Sequence, residues 1–89
     1  MDARPLDPTA LNRLRWRCRR GLLENDLLIE RFFARHGAAL TAGQGRTMEA
    51  LMALPDNELL DLLLGRAEPS GELARDEVRE LLALMRARH

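Results

Sequence analysis

The 89-residue chain contains no lysine, no tyrosine and a single cysteine, Cys18; its only Phe and Trp residues are Trp16, Phe32 and Phe33. One cysteine excludes an internal disulfide, and the chain offers no CxxC or Cys/His spacing for a structural metal, which suits a reducing compartment. Histidine is nearly absent too. His36 stands beside Gly37 and His89 is the last residue, and neither has the neighbouring Ser, Cys or acid that marks a nucleophilic site. No apolar run approaches the ~18–20 residues of a membrane span. The opening residues, MDARPLDP, lack the apolar core of a signal peptide, so the expected location is the cytoplasm. Strict alternation of apolar and polar residues is missing, so no sheet is expected. A net charge of one sign is missing as well: 14 arginines face 14 acids. A general nucleic-acid binder is usually strongly basic overall.

What is present is helical periodicity with clear punctuation. Length, and the lack of repeats or low-complexity tracts, predict one domain over residues 1–89. A chain of this size buries roughly 60–65% of its unfolded surface, with little to spare for a deep active site. Asp7-Pro8 reads as an N-cap followed by proline at the first helical position. Leu11, Leu14 and Cys18 follow at helical spacing, until Gly21 ends or bends the helix. A second helix is predicted from Leu22 to His36, with Leu22, Leu23, Leu27, Leu28, Ile29, Phe32 and Phe33 giving a broad apolar face and Gly37 as C-cap. Thr41 and Gln44 form a capping box for a third helix that turns Met48, Leu51 and Met52 inward, with Gly43 and Gly45 weakening its first turn. Pro55 ends it. Asp56 is expected to cap a short fourth helix, Leu59 to Leu64, apolar almost all round and therefore the most buried, stopped by Gly65. Pro69-Ser70 is expected to open the last helix, with Ala74, Val78, Leu81, Leu82 and Met85 as its stripe. The fold expected is all-α: a compact, single-domain five-helix bundle.

Candidate chemistry is sparse. Cys18 lies among arginines that favour a reactive thiolate, yet it shares a helix face with Leu11 and Leu14 and reads better as core. Residues 42–46, AGQGR, contain a GxG. A dinucleotide fingerprint needs a preceding strand and a third glycine, and Met48 stands in that glycine's place. The strongest signal is "RWRCRRGLLEND", residues 15–26. Five arginines lie between Arg13 and Arg20, around Trp16, directly before Gly21 and an acidic turn. Helix chemistry accounts for part of it: bases complement a helix C-terminus, and Glu24 and Asp26 complement the next N-terminus. A junction needs one or two such charges, not five with a tryptophan. Arg and Trp are favoured interface anchors, and glycine permits close approach. The residues alone leave a solvated helix and a binding patch both open. A nucleic-acid-binding regulator, with the arginine-rich helix on phosphate, or an antitoxin-like interaction module are alternatives for the patch.

The stretch W-R-C-R-R-G-L-L-E-N-D resembles the signature of the SdhE-type flavinylation factors, bacterial relatives of mitochondrial succinate dehydrogenase assembly factor 2. That signature is an R-G-x-x-E core, commonly preceded by a second arginine and followed by an acid two residues after the glutamate. Arg20, Gly21, Glu24 and Asp26 match it, with Arg19, Trp16 and Cys18 upstream. Phe32-Phe33, Leu54-Pro55-Asp56 and the stretch from Leu59 to Gly65 also look like family counterparts. Gly43 and Gly45 depart from the better helix formers usual there. The resemblance implies a five-helix assembly factor that is not itself an enzyme. It implies binding to the flavoprotein subunit of succinate dehydrogenase, and in bacteria of fumarate reductase, and promotion of covalent FAD attachment to a histidine of that client. Trp16, Arg19, Arg20, Gly21, Glu24 and Asp26 would then form a partner-binding surface. No catalytic, cofactor or metal residue is implied. FAD would act on the client without being held stably by this chain, and neither nucleic acid nor membrane insertion would be involved. A bacterial cytoplasmic location goes with that reading.

Overall fold

Asp7 opens the first helix from an extended backbone. Its carboxylate accepts a hydrogen bond from the Ala10 amide at 2.8 Å, and Pro8 takes the first helical position. Both features satisfy amides that a helix start leaves without partners. The computed structural model describes residues 3–19, 21 and 23–86. Among them the chain forms five α-helices: α1 (Pro8–Arg17), α2 (Leu23–His36), α3 (Ala42–Met52), α4 (Asp56–Leu63) and α5 (Asp76–Arg86). Short 3₁₀ turns, Gly37–Ala39 and Gly71–Leu73, precede α3 and α5. The described residues contain no strand, only an isolated antiparallel bridge between Pro5 and Thr41. The all-α fold is as expected. The Cα radius of gyration is 12.1 Å, which matches the roughly 12 Å of a compact chain this long.

One core joins all five helices. α2 packs on α4 and α5, α3 on α1 and α5, and α4 on α5. Ile29, Phe32 and Phe33 meet Met48 and Leu51, Leu59 and Leu62, and Val78, Leu81 and Leu82 in a single buried cluster. The three- and four-residue spacing of each set is what turns one stripe of each helix inward. Phe32 and Phe33 meet edge to face with centroids 5.7 Å apart, the arrangement their ring quadrupoles favour. Cys18 is buried in the same cluster, as its shared face with Leu14 predicts.

The element boundaries differ from expectation in several places. α1 ends at Arg17 with Cys18 as C-cap, short of Gly21. Gly37 is no left-handed C-cap. It is a buried residue that starts the 3₁₀ turn, and it is not among the positive-φ glycines. α3 does not fray at its glycines. The Gln44 amide donates to Thr41 Oγ1 at 3.1 Å and the Thr41 amide donates to Gln44 Oε1 at 3.0 Å, closing the capping box. Gly45 is where the N-terminal segment packs: a Cβ there would lie 3.2 Å from Leu6 Cδ1. Hydrogen bonds from Leu6 N to Leu40 O (2.9 Å) and from Ala42 N to Arg4 O (2.8 Å) hold that segment in place.

Asp56 is the first residue of α4 and not its cap, a position held by Pro55. α4 is not buried all round either. Leu59, Leu62 and Leu63 face inward, Leu60 is half-buried, and Leu64 is 43% exposed. The helix packs chiefly on α2 and α5, and its outer side meets water. Leu27 of α2 likewise faces out, 49% exposed. Gly65 stops α4 as predicted, at φ 76°. The Arg66 amide bonds Asp61 O (2.9 Å) and the Gly65 amide bonds Leu62 O (3.2 Å), the paired bonds of a Schellman turn. The last helix begins at Asp76, not at Pro69-Ser70. Ser70 is extended and Ala74 has ψ 60°, which no helix accommodates, so Ala74 is off the buried stripe and exposed. Arg20, Leu22 and His89 lie outside the described residues.

Candidate partner-binding site

Arginines alternate along α1, so helical geometry sends them to different sides. Arg15 Nη2 donates to Glu30 Oε2 at 3.1 Å, and its guanidinium lies 5.6 Å over the Phe33 ring. Arg17 Nη1 donates to Glu49 Oε1. These two residues tie the end of α1 to α2 and α3. As largely exposed pairs each stabilises by only ~0–1 kcal/mol. Part of the positive cluster is therefore neutralised within the protein.

Trp16 points the other way. It is 70% exposed, and the Arg19 guanidinium lies 4.9 Å from its ring centroid. An exposed tryptophan stacked by arginine is rigid, amphipathic contact area of the kind that anchors interfaces. Gly21 follows at φ 79° with its amide donating to Asp26 Oδ2 at 3.2 Å. A Cβ built on it would meet nothing within 4 Å. The glycine is thus required by the backbone, and the space beside it is open. Glu24 stands exposed in the first turn of α2, where it complements the helix dipole. Asp26 is half-buried and lines, with Arg15, Arg19 and Cys18, a cavity of about 110 Å³. The structure therefore brings Trp16 to Arg19, and Gly21 to Asp26. Arg20, the arginine of the R-G-x-x-E core, lies outside the described residues.

One residue of the stretch escaped the sequence reading. Asn25 is fully buried, and its Nδ2 donates to Asp56 O at 3.1 Å, linking the start of α2 to the start of α4. Its Oδ1 has no hydrogen-bond partner among the described residues. The signal was available, since Asn25 precedes Ile29 by four residues and Phe32 by seven, on the buried stripe. A polar residue there needs a partner, and that partner comes from another helix, which periodicity does not reveal.

The GxG at residues 42–46 forms no phosphate cradle. It is the first turn of α3, with Gly43 and Gly45 both buried. The Gln44 amide is already bonded to Thr41, and the Gly45 amide to Thr41 O at 2.9 Å. The described residues hold no cluster of three or more His, Cys, Asp or Glu that could bind a metal. No described helix is long and apolar enough to cross a membrane.

Residues 12–89 match the family model described as "Flavinator of succinate dehydrogenase". The chain is 52% identical over 81 residues to the "FAD assembly factor SdhE" of Ralstonia nicotianae, covering 91% of this chain and 85% of that one. It is 36% identical over 78 residues to the protein of the same description from Coxiella burnetii, covering 88% and 95%. With that of Legionella pneumophila strain Paris it shares 40% identity over 68 residues, 76% of this chain and 86% of the relative. No solved structure matches the chain significantly.

Proposed function

Because this chain belongs to the family of succinate dehydrogenase flavinators, we propose that it is an FAD assembly factor. It binds the flavoprotein subunit of succinate dehydrogenase and promotes covalent attachment of FAD to that subunit. In our reading the docking face is the α1–α2 junction, with Trp16, Arg19, Gly21 and Glu24 presented outward and Arg20 completing the motif. The observation that carries this reading is Trp16, an exposed aromatic held by Arg19 beside a glycine with open space above it. A solvated helix junction has no use for that combination. Fumarate reductase, whose flavoprotein subunit poses the same chemical problem, is proposed as a second client.

The chain acts without a catalytic residue of its own. Attachment requires a flavin carbon and a client side chain in near-attack geometry, and orientation alone can supply several kcal/mol of the barrier. A docking protein provides this by binding the competent arrangement of its client more tightly than others, and so populating it. Asn25 and Asp26 support the face from behind, one pinning α2 to α4 and the other holding the Gly21 amide. We propose that the protein holds no FAD stably when alone, works in the bacterial cytoplasm and has no nucleic-acid partner. Arg15 and Arg17, which a phosphate backbone would need, are paired with Glu30 and Glu49.

The test is co-expression with the client subunit in cells lacking their own factor, with covalent flavin read by in-gel fluorescence. Glu24→Ala should reduce client fluorescence clearly. Its cost to the fold should be only ~0.3–1 kcal/mol, the worth of an acid in an exposed first turn. A large fall in melting temperature with normal client fluorescence would reduce Glu24 to a helix-end charge.

A further inference from the structure

A cavity of about 470 Å³ lies between the C-terminal half of α2 and the ends of α4 and α5. Phe32, Leu63 and Met85 form its buried floor. Its sides include Leu64 and Leu84, which are 43% and 37% exposed. Its ionisable lining is Arg31, Arg35, His36 and Arg86, with no acid among them. Arg86 is turned inward, its Nε donating to Leu62 O at 2.7 Å and its Nη2 to Ala67 O at 3.1 Å, while its Nη1 pairs with Glu68 Oε1 at 3.4 Å. Arg31 is exposed on the rim. His36 rests against Phe32 with ring centroids 5.4 Å apart, and its buried Nε2 has no hydrogen-bond partner among the described residues.

The cavity and Glu24 of the proposed docking face share one side of α2. Glu24, Leu28, Arg31 and Arg35 stand at positions i, i+4, i+7 and i+11 of α2, a single stripe of that helix. Glu24 and Arg31 are about 10 Å apart along the axis at ~1.5 Å per residue. Exposed Leu27 borders the stripe. An apolar floor with the exposed Arg31 at its rim complements aliphatic side chains carried beside a carboxylate. We infer that the client contact continues along α2 from Glu24 into this groove, which receives an acidic, aliphatic segment of the client flavoprotein. The inference rests on the assembly-factor reading, and it assigns the groove as a second point of client contact at the opposite end of α2.

The FAD-free flavoprotein subunit of succinate dehydrogenase is titrated calorimetrically with wild type, Arg31→Glu, Arg31→Lys and Leu84→Gln, with circular dichroism reporting the fold. Both positions are exposed, so the helical signal should be unchanged. Arg31→Glu should weaken binding at least about tenfold, the scale of a lost or reversed interface charge. Leu84→Gln should weaken it several-fold, and Arg31→Lys should stay near wild type. If wild type binds and both Arg31→Glu and Leu84→Gln bind equally well, the groove is no client site, while the assembly-factor reading stands. If wild type itself fails to bind, that reading falls and the groove assignment with it. Sedimentation of the same samples separates the remaining case. Variants that lose a wild-type self-association but keep full client affinity would give the groove to a second copy of this chain and overturn the inference.

Discussion

At Gly21 two demands coincide. The backbone there is left-handed, so any side chain adds roughly 1–2 kcal/mol of strain. Apart from its two chain neighbours, no atom of the described residues lies within 4 Å of a Cβ built there, so strain is the main structural cost. A small domain with ~5–15 kcal/mol of stability survives it. Gly21→Arg should therefore remain helical, with a melting temperature lower by several degrees, while client flavinylation is abolished by steric and charge conflict. Gly21→Ala carries the same strain with little bulk, and should keep much more activity. Equal activity in the two variants at equal stability would show that the client does not approach this glycine. The motif around it was legible because Trp16, the arginines and Gly21 are contiguous in the chain. Other features of the site were not. That Arg15 and Arg17 are occupied depends on Glu30 and Glu49, which folding alone brings near, and the role of Asn25 depends on a carbonyl of α4.

The helices were legible wherever the signal is local. Asp7-Pro8, the Thr41/Gln44 box and the Gly65 stop each act within four residues, and each stands where the sequence puts it. The misjudged features are those decided by neighbours. Gly43 and Gly45 read as weak helix formers, yet the lack of a side chain at Gly45 admits Leu6. α4 reads as apolar all round, but it packs chiefly on α2 and α5 and leaves Leu64 exposed. Pro69-Ser70 reads as a helix start, whereas Asp76 and Glu77 supply the acids of the real first turn. The capping box gives a direct test. Thr41→Ala removes the acceptor for the Gln44 amide and should cost about 1 kcal/mol. For a domain of this size that is a fall of roughly 4–8 °C in melting temperature. A shift below about 1 °C would mean that the segment from Arg4 to Leu6 holds the start of α3 without the cap.

Across the whole molecule the charges balance in number but not in place. The first twenty residues carry six arginines against Asp2 and Asp7, and acids outnumber bases from Arg46 onward. The resulting field favours an oppositely charged client surface in one orientation, an effect expressed in association rate and weakened by salt. The only GxG of the sequence is sealed within a capped helix start. The purified protein should be colourless, with FAD affinity weaker than micromolar by calorimetry. Micromolar or tighter binding would recast it as a flavin carrier. The burial of Cys18 has a kinetic consequence. The residue is 1% exposed and is the C-cap of α1, beside the docking motif and alone of its kind in the chain. A thiol reagent can reach it only when this end of the bundle opens, so the modification rate in native buffer counts those openings. The wild-type protein thus carries its own clock for the breathing of the α1–α2 junction, without any added label. Excess FAD-free client should slow that clock if the client clasps this junction, and leave it running at the same rate if it docks elsewhere.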